Sequence, residues 1–112
     1  MEKLSVIVPA YNESKSLQEA VEELILNLES CRLEYEIIIV EDGSTDDTAK
    51  IADSISKKYN QVNVVYHKRN MMIGAAIISG INVAKYENII VSPVDSPLDI
   101  KQIKKYLEKS KE

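Results

Sequence analysis

Tryptophan and phenylalanine are absent, and all six aromatic residues are tyrosine, so the core must be aliphatic. A single cysteine, Cys31, rules out an internal disulfide. With no secretory leader read at the N-terminus, a reducing, cytoplasmic setting is expected. Cys31 lies between Ser30 and Arg32 with no activating base beside it, which reads as a structural thiol rather than a nucleophile. The lone histidine, His67, has no second histidine to share a metal with and reads as a strand-end polar residue. No apolar run nears the roughly 20 residues of a membrane-spanning helix. A peripheral or partner-mediated place at the inner membrane face stays open. A basic excess is lacking too: 14 Lys and Arg against 18 Asp and Glu give a net charge of -4, which argues against a nucleic-acid partner. No repeat, low-complexity segment or interdomain linker interrupts the chain. No Gly-x-Gly-x-x-Gly follows the first apolar run, so a dinucleotide-binding dehydrogenase is poorly supported.

What is present is organised around one stretch. Residues 36–48 begin as an apolar, β-branched run, Ile37-Ile38-Ile39-Val40, as in a strand buried on both faces. The run ends at Glu41-Asp42-Gly43. Gly43 can turn where other residues strain, and Ser44, Thr45, Asp46 and Asp47 can cap a following helix. Two acids are thereby held at the carboxyl end of a central strand, the edge where open α/β sheets bind ligands.

The rest of the chain alternates around that stretch. Lys3 to Val8 reads as a first strand ended by Pro9. Ser14 or Ser16 can cap a helix carrying Leu17, Val21, Leu24, Ile25 and Leu28. A second helix from about Asp47 carries Ile51, Ala52, Ile55 and Tyr59. Val62 to Tyr66 is a third strand, and a third helix from Ile73 or Gly74 carries Ala75, Ala76, Ile77, Ile81 and Ala84, with small Gly74, Ala75, Ala76 and Gly80 allowing close helix–sheet approach. Asn88 to Ser92 is a fourth strand. Ser96-Pro97-Leu98-Asp99 reads as a capping box before a last helix with Ile100, Ile103, Tyr106 and Leu107. Four strands alternating with four helices imply a three-layer α/β/α architecture with a doubly wound, mainly parallel sheet, and the length suits one domain over residues 1–112.

Three polar clusters then fall at strand carboxyl ends: Tyr11 to Glu13, Glu41 to Asp46, and Pro93 to Asp95. Each has a plain reading as a turn or helix cap. Each also has a chemical one. Ionised Glu41 and Asp42 only accept hydrogen bonds, which suits the N–H of a base or ribose hydroxyls. Tyr11 can pack on a base while Glu13 helps hold the nucleotide. Lys68 and Arg69, near a helix start, can meet phosphates. Asp95 can hold a divalent cation that bridges a diphosphate.

These segments together resemble the nucleotide-sugar-binding half of a family 2 glycosyltransferase of the GT-A fold, nearest the polyprenyl- or dolichol-phosphate sugar synthases. Residues 5–13 (SVIVPAYNE) are similar to the family's opening strand and loop, and residues 36–48 to its strand followed by acid-Asp-Gly-Ser-Thr-Asp. Residues 69–80 match its asparagine- and glycine-bearing helix start. Residues 89–95 (IIVSPVD) lie where it carries an Asp-x-Asp metal motif. The resemblance implies transfer of a sugar from a nucleoside diphosphate sugar to a polyprenyl phosphate or glycan acceptor. It implies nucleotide contacts from Pro9, Tyr11, Glu13, Glu41, Asp42 and Arg69, and Mg2+ or Mn2+ at Asp95. Three positions depart from the family pattern: Pro93 replaces the first metal-motif acid, Met72 replaces a glycine, and Glu41 replaces an aspartate. The family's acceptor half, with its catalytic base, is expected beyond Glu112, so no residue here is assigned as catalytic. The alternative is a non-catalytic nucleotide-binding or interaction module. A sheet cut short leaves an edge on which the chain could self-associate.

Overall fold

The computed structural model describes residues 2–111. The elements run β1 (Lys3–Ala10), α1 (Leu17–Ser30), β2 (Glu34–Asp42), α2 (Thr48–Lys58), β3 (Val62–His67), α3 (Met72–Val83), β4 (Ile89–Val91) and α4 (Ile100–Ser110). The sheet order is β3-β2-β1-β4, with every pairing parallel. The chain therefore steps outward from β1 to β3, then returns across the sheet to lay β4 on the other side of β1. Right-handed crossovers require α1 and α2 on one face and α3 on the other. Side-chain packing agrees. Val6, Val8, Ile37 and Ile39 join α1, α2 and α4 in the larger core, while Ile7, Ile38 and Val40 meet Ala76 of α3 in a smaller one. The strand order reverses between β1 and β4, the position where this class of sheet opens a ligand crevice.

Several local expectations are corrected. Pro9 does not end β1, which continues to Ala10. Ser5 donates its N–H toward β4 and Ile7 accepts from Ser92 on that side. By alternation, Pro9 also faces that side, where β4 has already stopped at Val91, so its missing N–H costs no ladder bond. Neither Ser14 nor Ser16 caps α1 with its side chain; Ser16 holds the cap position without that bond. Of the four cap candidates before α2, Asp47 holds the cap position without a side-chain bond, and Asp46 supplies the bond, accepting from the backbone N–H of Thr48 at 2.9 Å. The Ser96 capping box does not form. Leu98 is held in a turn, its N–H on Ser92 Oγ and its carbonyl on Asn27, so α4 starts three residues later. There Asp99 and Gln102 make a reciprocal capping box.

The third helix buries Ala76 and Gly80, two of the small residues expected to let it approach the sheet, while Ile81 is exposed. This helix is apolar nearly all round, so periodicity alone cannot select its face. Size selects it: a Cβ on Gly80 would lie 2.7 Å from Cγ2 of Ile7. The helix starts at Met72, whose φ of +74° lies in the left-handed region. A residue with a Cβ loses about 1 kcal/mol there. Met72→Gly is expected to raise unfolding free energy by about that amount, read as a shift in the urea midpoint at constant slope.

Candidate functional site

The polar clusters meet at the carboxyl edge of the sheet because β1 and β2 pair in register up to Ala10 and Glu41. Beyond that register the two loops are tied together. Asn12, at φ +52°, accepts from the Thr45 N–H at 2.8 Å and donates its own N–H to Ser44 Oγ at 2.9 Å. Glu13 N–H donates to Thr48 Oγ1 at 2.8 Å, and Ser14 N–H donates to Asp46. Hydrogen bonds from Thr48, above all from its hydroxyl, hold the Asp46 carboxyl down at about 2. Asp46 and Thr48 therefore join one loop to the other as well as capping α2.

The loop after β3 closes on the same edge. Gly43, at φ +69°, packs against the backbone of Arg69 and Asn70. Asp42 reaches across to this loop: its Oδ1 accepts from the Met71 N–H at 2.9 Å and lies 2.7 Å from His67 Nδ1. Glu41 and Asp42 do not act as a pair, because strand alternation sends them to opposite faces. Glu41 folds back, its Oε1 accepting from the Ser44 N–H at 2.8 Å. Both carboxylates are buried. Oδ2 of Asp42 takes no bond from the described residues, yet no sealed side-chain oxygen among them lacks a partner. Oδ2 therefore keeps a small solvent contact, through which it can accept.

The remaining candidates are placed as follows. Pro9 lies half-buried near the end of β1, Tyr11 is 42% exposed just beyond it, and Arg69 is exposed beside Gly43. The N–H groups of Met71 and Met72 at the start of α3 are taken by Asp42 and Asn70. Asp95 is exposed on the turn after β4 and lines a groove of about 380 Å³ with Ser16, Glu19 and Glu23 of α1. It is not hydrogen-bonded to the stitched loops, and no cluster of three metal-ligating side chains occurs among the described residues. Sequence reasoning missed the partnership of His67 with Asp42; the only available signal was a polar residue at a strand end.

An α/β domain with a parallel sheet, a switch point beside its first strand and acceptor-rich loops at the carboxyl edge is a nucleotide-binding architecture, here of the GT-A type. Residues 5–112 match the profile of glycosyl transferase family 2, and the chain belongs to that family. Dolichyl-phosphate beta-glucosyltransferase of Mus musculus is 36% identical over 114 residues, covering 96% of this chain and 35% of that enzyme. Undecaprenyl-phosphate 4-deoxy-4-formamido-L-arabinose transferase of Proteus mirabilis is 35% identical over 94 residues, 83% of this chain and 29% of that enzyme. The crystal structure of S. aureus TarS 1–349 in complex with UDP-GlcNAc matches with a TM-score of 0.78 at 27% identity, over 95% of this chain and 30% of that one. Mannosyltransferase PcManGT from Pyrobaculum calidifontis, in complex with GDP-Man and Mn2+, shares the fold at a TM-score of 0.70 and 21% identity, over 82% of this chain and 27% of that one. This chain thus spans about a third of the length of the relatives it matches. No helix among the described residues is long and apolar enough to cross a membrane.

Proposed function

We propose that this chain is the nucleotide-sugar-binding half of a glycosyltransferase that passes a sugar from a nucleoside diphosphate sugar to a polyprenyl phosphate. The observation that carries the reading is the open Oδ2 of buried Asp42, set on an edge built by three joined loops. An ionised carboxylate accepts from a base N–H or a ribose hydroxyl, and fixed in place it needs little reorganisation to do so. Tyr11 packs on the base, Pro9, Glu13 and Glu41 shape its surroundings, and Arg69 meets the phosphates. The relatives' names supply the acceptor class, dolichyl and undecaprenyl phosphate, and a lipid-linked acceptor would bring the domain to a membrane face from the cytoplasm.

The residues present fit a divalent cation only as a single-carboxylate site. Asp95 would hold Mg2+ or Mn2+ together with diphosphate oxygens and water, within the one or two carboxylates Mg2+ usually takes. Such an ion neutralises charge on the leaving diphosphate. Pro93 offers no ligand atom where the family pattern has an acid, which favours a second reading: a module that keeps nucleotide binding without transfer.

Calorimetric titration with UDP-glucose, UDP-GlcNAc and GDP-mannose, with and without Mg2+ or Mn2+, tests both readings. Binding of one donor is expected, and Asp42→Ala is expected to weaken it by about 1–3 kcal/mol, the loss of one charge-assisted hydrogen bond. A folded wild-type chain that binds none of them sinks the reading. Metal-independent binding without turnover favours the module.

A further inference from the structure

One half-buried titratable side chain touches Asp42 directly. His67 ends β3 with its side chain 13% exposed. Nδ1 lies 2.7 Å from Asp42 Oδ1, and Nε2 lies 2.8 Å from Ser79 Oγ on α3. The Asp42 carboxylate only accepts, so Nδ1 carries a proton. In the neutral ring Nε2 then accepts from the Ser79 hydroxyl; in the charged ring it donates to it. Ser79 can serve either state, so the bond to Asp42 survives both. His67 and the Met71 N–H converge on the same oxygen, Oδ1. With Oδ1 pinned twice, the plane of the carboxyl is set and Oδ2 is left at the solvent opening.

We propose that His67 is a positioning residue for nucleotide recognition: it holds Oδ1 of Asp42 so that Oδ2 faces the ligand. The inference rests on the assignment of Asp42 as a ligand acceptor. His67 need not touch the nucleotide; it acts through Asp42, and Ser79 holds its ring. A purely structural role, tying β3 to α3, would need the Nε2 bond to Ser79. The positioning role needs the Nδ1 side alone.

That asymmetry supplies the test. The amide nitrogen of Asn can stand in for Nδ1, and that of Gln for Nε2. His67→Asn, His67→Gln, His67→Ala, Asp42→Ala and the double variant Asp42→Ala/His67→Ala are titrated with UDP and with GDP, and their urea midpoints are measured in parallel. His67→Asn is expected to stay within about threefold of wild-type affinity, while His67→Gln and His67→Ala lose about tenfold or more. In the Asp42→Ala background His67→Ala should add no further loss, since a residue acting only through Asp42 cannot be felt without it. The Asn and Gln variants are close enough in size and polarity to compare even if the Ala variant unfolds. Affinity that falls equally for Asn and Gln, or falls again in the Asp42→Ala background, overturns the proposal. So does affinity that His67→Gln leaves unchanged while Asp42→Ala abolishes it, and in that case the functional reading stands. A wild-type chain that binds neither nucleotide overturns the functional reading, and this inference with it.

Discussion

Alanine at position 43 should cost about 2–5 kcal/mol of folding free energy, summed from left-handed backbone strain and overpacking. The φ of Gly43 is +69°, where a Cβ is strained before any neighbour is considered. The neighbours add more. The new Cβ would stand 2.2 Å from the carbonyl carbon of Arg69 and 2.5 Å from both Arg69 Cα and Asn70 N. These are backbone atoms, so no side-chain rotation relieves the clash. The loop after β3 must move as a unit, and with it Met71, whose N–H pins Asp42. One methyl group should therefore lower stability and nucleotide affinity together. Gly74 is the control. It sits in α3 with nothing within 4 Å of a Cβ, so Gly74→Ala should gain about 0.5–1 kcal/mol from helix propensity. Urea denaturation reads both. A Gly43→Ala loss under about 1 kcal/mol, against the overpacking range, would show that the contact with Arg69 yields easily.

The Gly43 case also shows what the sequence could and could not reveal. A glycine after a β-branched run announces a turn at the carboxyl edge, and the turn is there. The loop it packs against lies 26 positions on, and nothing local to either segment announces that pairing. The same division runs through the molecule. Element type and order were legible because the apolar period changes between strands and helices, and the parallel sheet followed from the alternation. The inward face of α3 was legible only through its small residues, Ala76 and Gly80 among them, because Met72, Ile73, Ile77, Ile78, Ile81 and Val83 make the helix apolar on every side. Only the steric fit of Gly80 against Ile7 decides it. At the site, candidate loops could be named from residue types, but the roles of Glu41 and Asp42 could not be separated until alternation along β2 sent them to opposite faces. Departures from the family pattern were visible as substitutions, but their physical weight was not. Met72 proves strained, with a positive φ, while Glu41 is accommodated by the Ser44 N–H.

Glu36→Ala is expected to cost about 2–5 kcal/mol, because it strips the acceptor from one buried and one part-buried donor. Glu36 reads as the polar entry to an apolar strand, yet it is 3% exposed. Its Oε2 accepts from the Ser5 hydroxyl and the Lys85 N–H, each at 2.6 Å, and Ser5 Oγ accepts in turn from the Tyr86 N–H. Glu36 shares a face of β2 with Ile38, Val40 and Asp42 by alternation. That face carries α3. Asp42 receives the N–H of Met71 at the start of the helix, and Glu36 receives that of Lys85 just past its end. Six residues of strand span roughly 20 Å, and the twelve residues of α3 rise by about 18 Å, so the two lengths match. A helix that buries only Ala76 and Gly80 is thus fixed at both ends by carboxylates of one strand. The two clamps should separate in experiment. Loss of Glu36 should lower the urea midpoint while leaving the affinity of the folded fraction near wild type, since it lies at the opposite edge from the ligand. Loss of Asp42 should lower both. Ser5→Ala should be milder, and Glu36→Ala should cost less in its background than alone, because one of the donors it strands is then already gone. Equal costs in the two backgrounds, or a Glu36→Ala loss below about 1 kcal/mol, would refute the buried network as an anchor of α3.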